Sequence, residues 1–132
     1  MIRVLVLLYA LASYVLGSLA LLALAGFLLN LGPWRIDTGA PGDELAAIAA
    51  NTLLLSGYFA LHSIMARPGF KRRWTRILPA VLERSTYVLI AGLTLGLLLA
   101  TWTPLPLPLW RVENGVARAV IYGLHGLGWL IM

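Results

Sequence analysis

Cysteine is absent from the 132 residues. Disulfides, a thiol nucleophile on the protein and thiolate metal sites are therefore excluded. Charge is scarce, at 11% of the chain, against about 25% in an ordinary soluble domain. Acids are scarcer than bases, five against ten. The two histidines, His62 and His125, lie far apart without metal-ligand spacing, so no metal site is expected. No Gly-rich phosphate loop, nucleophile elbow or fixed-period repeat is present. What fills the chain instead is apolar: 61% hydrophobic residues and a mean hydropathy of +0.89. A single water-soluble domain of this length cannot bury so much apolar surface. The composition implies an all-α integral membrane helical bundle.

Four apolar segments are expected to span, at about 4–31, 45–66, 79–102 and 116–132, in a single membrane domain 1–132. The first is a 28-residue run without a charge, longer than the roughly 20 residues a spanning helix needs. It holds a signal-peptidase-like Ala23-Leu24-Ala25, but the apolar run continues past it, which favours a retained anchor. Asn30, Gly32 and Pro33 close it, with Trp34 at the interface. A polar loop with Gly39, Pro41 and Gly42 follows, and Asp43 or Glu44 can cap the second helix. In that helix Asn51, Leu55, Tyr58 and His62 recur on one face, which should turn away from lipid. Ser56 and Ala60 have the spacing of small residues that permit close helix contact. Arg67-Pro68 stops the helix.

Phe70, Trp74, Ile77 and Leu78 then recur at i, i+4, i+7 and i+8, with the basic residues elsewhere. The loop 67–78 therefore reads as a short interfacial amphipathic helix. Pro79 can open the third span, in which Glu83 and Tyr87 share a face and Gly92 and Gly96 form a GxxxG packing signal. Pro104, Pro106 and Pro108 keep the next stretch extended, between Trp102 and Trp110 as interface anchors. The last apolar segment carries Arg118 and His125 and ends at Met132 without a polar flank. That ending suggests a truncation, or a helix that stops at the far interface.

Six of the ten cations (Arg67, Lys71, Arg72, Arg73, Arg76 and Arg84) fall in the stretch Leu61–Tyr87, five of them between the second and third spans. The first loop is net negative, with Arg35 against Asp37, Asp43 and Glu44. The positive-inside rule places loop 67–78 and the N-terminus in the cytoplasm, as expected of a bacterial inner-membrane protein. Hydrophobic runs bracket the basic patch, so anionic membrane lipid is the expected partner and nucleic acid is not. Lys71, Arg72, Arg73, Trp74 and Arg76 are the headgroup candidates. Each basic side chain near an anionic surface contributes about 1 kcal/mol.

The same stretch holds the residues with chemistry. His62 reads either as a general base or polar ligand, or as an interfacial histidine bonded to a neighbour. Glu83 can contact a substrate or cofactor, or pair with Arg67 or Arg76 as a structural tie between helix ends. The basic cluster reads chiefly as topogenic, with an anion site as the other reading. His125 is an ionisable group inside an apolar segment, which raises a functional question without naming a role.

His62-Ser63-Ile64-Met65-Ala66-Arg67-Pro68, Phe70-Lys71, Trp74-Thr75-Arg76, Pro79 and Glu83-Arg84-Ser85-Thr86-Tyr87-Val88-Leu89 resemble the signature of methanethiol S-methyltransferases. These sit in a wider membrane group with NnrU-type proteins and isoprenylcysteine carboxyl methyltransferases. The resemblance is dense over 62–89 and fades outside it. It implies S-adenosylmethionine-dependent methylation of a small thiol, giving dimethyl sulfide from methanethiol. It marks His62, Arg67, Glu83, Arg84 and Tyr87 as substrate- or cofactor-pocket candidates. In the wider group the cofactor is held mainly by a C-terminal half with a His-Pro motif and later paired glutamates. Here neither histidine precedes proline, and the only adjacent acids, Asp43 and Glu44, lie in the first loop. The match is therefore to the N-terminal half of the pattern. A fragment, a shortened form lacking the cofactor-binding half, or one part of an assembly with a partner subunit is expected. The alternatives are a non-catalytic NnrU-like accessory protein and, last, a proton or solute conduit using both histidines.

Overall fold

The computed structural model describes residues 1–38, 42–105 and 111–131. Five helices follow one another: α1 (Ile2–Leu28), α2 (Glu44–Ala66), α3 (Pro68–Trp74), α4 (Ala80–Thr101) and α5 (Gly115–Ile131). The described residues contain no strand. Helices α1, α2 and α4 are long and apolar enough to cross a membrane, whereas α5 is a shorter apolar helix of 17 residues. Three crossing helices, rather than the four expected, meet the length requirement. Pro106, Pro108 and Trp110, read above as extended chain and anchor, lie outside the described residues, as do Gly39, Pro41 and Met132.

The helix ends follow local chemistry. Asp43 caps α2 through one carboxylate oxygen, accepting from the Leu45 and Ala46 amides at 3.0 and 3.1 Å. Asn114 does the same for α5, accepting from Val116 and Ala117 at 2.9 and 3.1 Å. After α1 the chain turns through Asn30 and Gly32, both at positive φ (57° and 86°), the left-handed conformation that ends helices. Arg67 is extended (ψ 138°) before Pro68, which opens α3 at its first position. Pro79 is the cap residue of α4, one position earlier than a first-turn proline.

Helix α4 is the hub, packed against both α1 and α2. α1 and α4 run parallel, as three contacts along their length show. The Tyr9 hydroxyl meets Thr86 Oγ1 at 2.8 Å. Thr86 Oγ1 already donates to the Leu82 carbonyl at 2.9 Å, so Tyr9 is the donor. At the middle, Gly92 lies against Gly17: a Cβ on Gly92 would stand 2.9 Å from the Gly17 Cα. At the far end Phe27 and Trp102 pack edge to face at 5.6 Å. Phe27, Leu95, Leu98 and Leu99 form the buried core there. Lipid tails are as apolar as leucine, so such close packing and hydrogen bonding must hold the pair together.

The far end is also closed by polar contacts. Asn51 Nδ2 donates to the Thr103 carbonyl at 2.7 Å while its Oδ1 accepts from the Thr103 amide at 3.0 Å. The Trp102 indole donates to the Ile36 carbonyl at 3.0 Å. The polar stripe of α2 turns inward as expected: Asn51 is buried, and Leu55, Tyr58 and His62 are half-buried.

Three expectations fail. A Cβ on Gly96 would meet nothing within 4 Å, so only Gly92 of the GxxxG is required by the close crossing. Ser56 and Ala60 are exposed, not a helix contact. The α3 stripe is broken, because the helix stops at Trp74 and Ile77 is left 84% exposed; the i+7 position has no meaning once the helix has ended.

Candidate functional site

The C-terminal end of α2 and the N-terminal end of α4 meet at one end of the bundle, and α3 packs beside the end of α2. There the His62 ring packs on Tyr58, with centroids 4.1 Å apart, and approaches Tyr87 of α4 edge-on at 6.1 Å. His62 Nδ1 lies 2.8 Å from the Tyr58 carbonyl oxygen. A carbonyl only accepts, so Nδ1 carries a proton, and the tautomer with its lone pair on Nε2 is the one this contact selects. An i−4 contact of this kind fixes both tautomer and ring plane without help from another helix.

Tyr87 borders two spaces. On one side is a recess of about 360 Å³ lined by Ala66, Lys71, Glu83, Arg84 and Tyr87. On the other is a cavity of about 290 Å³ between α1, α2 and α4, whose walls include Tyr14, Gly17, Ser18, Tyr58 and Tyr87. The first is charged and the second is mostly apolar, with tyrosine rings and one serine as its polar groups. Tyr14 and Ser18 were not singled out from the sequence. Both are exposed, at the rim of the cavity beside the buried Ser13 and Gly17.

Glu83 pairs with neither Arg67 nor Arg76. Its carboxylate lies 3.8 Å from Lys71 Nζ, across the angle between α3 and α4. Arg67, Arg72, Arg73 and Arg76 instead line a separate cavity on α3. Of the five pocket candidates, Glu83, Arg84 and Tyr87 share one recess, His62 packs behind Tyr87, and Arg67 stands apart. Phe70 and Trp74 stack at 5.4 Å. His125 accepts from the Trp129 indole at 3.0 Å within its own helix, and α5 has no buried residue. The structure does not bring His125 to His62, and the conduit loses its geometric basis. Among the described residues no group of His, Asp and Glu is placed to hold a metal ion.

This arrangement can be set beside known proteins. The chain is 45% identical over 130 residues to methanethiol S-methyltransferase 2 of Bradyrhizobium diazoefficiens, covering 98% of this chain and 50% of that protein. It is 41% identical over 127 residues to the methanethiol S-methyltransferase of a Pseudomonas species, covering 96% and 49%. It is 38% identical over 128 residues to that of Mycobacterium tuberculosis, covering 96% and 52%. Nearly the whole chain is similar to methanethiol S-methyltransferases. The chain spans about half the length of these relatives. No family model matches the chain, and no solved structure matches it. The similarity extends well beyond 62–89, over both α1 and α5, and favours a methyltransferase relationship over a non-catalytic accessory role.

Proposed function

We propose that this chain supplies the thiol-side wall of a membrane S-methyltransferase. Its substrate is a small apolar thiol such as methanethiol, with S-adenosylmethionine as methyl donor. The observation that carries this reading is Tyr87, which stands between a charged recess and an apolar cavity in the helical bundle. Methyl transfer between a polar cofactor and an apolar thiol needs such a boundary. The two reactants approach from different phases and must meet in line where water is excluded.

The recess suits one end of the cofactor. Lys71 and Arg84 offer cations to an amino-acid carboxylate, and Glu83 an anion to its ammonium. Tyr87 is its one ring, and its lining includes no Asn or Gln to read an adenine edge. These residues fit the amino-acid end alone. The adenosine end is assigned to the part of the relatives this chain does not span. When bound, the cofactor supplies a methyl group on a positively charged sulfur. The protein's own task is to present a thiolate, the nucleophilic form. In this reading His62 takes the thiol proton on Nε2 and passes it to solvent at the charged end. Tyr58 and Tyr87 hold the ring and wall the thiol from water.

The same reading includes four spans, with α5 as the fourth, and a bacterial inner-membrane location with the N-terminus and 67–78 in the cytoplasm. That side holds the soluble cofactor, and the basic loop favours it.

The test is headspace dimethyl sulfide from cells given methanethiol. The cells express the 132-residue chain, or a chimera in which it replaces the matching segment of the Bradyrhizobium relative. The chimera is expected to produce dimethyl sulfide. Within it, Tyr87→Ala should lower kcat/KM by tenfold or more, while Tyr87→Phe keeps most of it. His62→Gln should lower kcat by about a hundredfold, the typical loss when a general base is removed. If the chain and the chimera both give no product, while the chimera reaches the membrane at the level of an active parent, the reading is wrong.

A further inference from the structure

Four arginines are left over by the site just described. Arg67, Arg72, Arg73 and Arg76 line one open surface cavity of about 880 Å³, together with Ile64, Pro68, Gly69 and the half-buried Phe70. The cavity exists because Pro68 bends the chain sharply at the α2–α3 junction. The bend turns Arg67, still extended, toward the arginines of the next helix and of the turn after it. The one carboxylate nearby, Glu83, lies against Lys71, and Lys71 does not line this cavity. Among the described residues none of the four makes an ion pair with an acid. Four like charges around one space repel one another, and an anion placed among them removes that cost. Guanidinium groups also fork onto phosphate oxygens in pairs, which an ammonium cannot do. Beside them the apolar groups, Ile64 and Phe70, suit the glycerol and upper acyl region of a lipid better than a free ion.

We infer that this cavity is a binding site for an anionic phospholipid headgroup bearing two phosphates. The four arginines grip the phosphates, and Ile64 and Phe70 contact the start of the chains. Four guanidiniums can fork onto two phosphates in two pairs, whereas a single phosphate leaves half of them without a partner. The site is distinct from the Lys71–Glu83 recess and does not depend on the methyl-transfer reading.

The test uses the detergent-purified full chain. Native mass spectrometry and the thermal midpoint are followed during titration with diphosphatidylglycerol, with phosphatidylglycerol at equal total charge, and with inorganic pyrophosphate. Diphosphatidylglycerol should be retained at about one per chain and raise the midpoint. It should bind at least tenfold more tightly than the other two. Arg72→Gln with Arg76→Gln should abolish that preference. Arg111→Gln with Arg118→Gln, an equal loss of charge elsewhere, should leave it intact. Because the glutamine pair could fail to fold, Arg72→Lys with Arg76→Lys provides a second check. It keeps the charge and should still lose most of the preference. Equal binding of both lipids at matched charge, equal loss in the two glutamine pairs, or full preference in the lysine pair would show a merely solvated basic face and overturn the proposal. Pyrophosphate binding as tight as the lipid would overturn the lipid assignment.

Discussion

Gly92 shows how much one missing methyl group sets. A Cβ there would meet the Gly17 Cα at 2.9 Å, its amide nitrogen at 3.2 Å and the Leu16 carbonyl oxygen at 3.4 Å, all of them backbone. Backbone cannot rotate aside, so Gly92→Ala must push α1 and α4 apart. The expected cost is about 1–3 kcal/mol, as for overpacking in a core. A Cβ on Gly96, one turn on, would have nothing within 4 Å. Gly96→Ala should be neutral, or stabilising by up to about 1 kcal/mol through helix propensity alone. Thermal unfolding of the two variants in the same detergent checks this, and equal effects would contradict the crossing. The GxxxG spacing was legible in the sequence, but which glycine makes the contact was not. That depends on the angle and height at which α1 crosses; α1 carries its own small-xxx-small pair, Ser13 and Gly17, both buried, but spacing alone does not say which residues of the two helices meet. Glu83 gives the same lesson. Its partner is decided by the bend at Pro68 and the tilt of α3, which carry Lys71 to it and Arg67 away.

At the scale of elements, the long helices and their stops could be read directly, because prolines, glycines and capping acids act locally, whereas the early stop of α3 at Trp74 could not. The inward stripe of α2 was legible for the same reason, since its period is that of the helix. Connections between elements were hidden. Asn51 was recognised as an inward polar group, but not that both halves of its amide would clasp the Thr103 backbone, fifty-two residues away. This clasp holds the chain after α4 to the N-terminal third of α2, while the Trp102 indole holds the end of α4 to Ile36. Asn51→Leu removes the first tie and leaves the second. The expected loss is about 1–2 kcal/mol, from two hydrogen bonds of modest net value. It should be concentrated locally. Amide exchange should rise at Thr103 and Leu105 and remain close to wild type at 9–20, where Tyr9–Thr86 and Gly17–Gly92 hold α1 to α4 independently. Uniformly faster exchange would mean that Asn51 supports the whole bundle instead of one end.

For the whole molecule, the absence of cysteine turns the question of topology into a clean experiment. Single cysteines placed by substitution are the only thiols in the chain. With the N-terminus in the cytoplasm, α1, α2 and α4 carry the chain out, in and out again. Thr38 and Glu113 should then face outward, and Thr75, just after the basic helix, should face the cytoplasm. A membrane-impermeant maleimide should label Thr38→Cys and Glu113→Cys in intact cells, and Thr75→Cys only after the membrane is opened. The reverse pattern would contradict the orientation and, with it, the cytoplasmic position of the Lys71–Glu83 recess. The same reagent decides the fate of α5. At about 1.5 Å per residue, its 17 residues reach roughly 25 Å, somewhat short of a hydrocarbon core about 30 Å thick. Arg118 near its start can extend to the headgroups, and local thinning of the bilayer accommodates a mismatch of this size at modest cost. Ile131→Cys should therefore react only after permeabilisation, on the same side as Thr75→Cys. Labelling of Ile131→Cys in intact cells would instead lay α5 along the outer surface and leave the bundle with three spans.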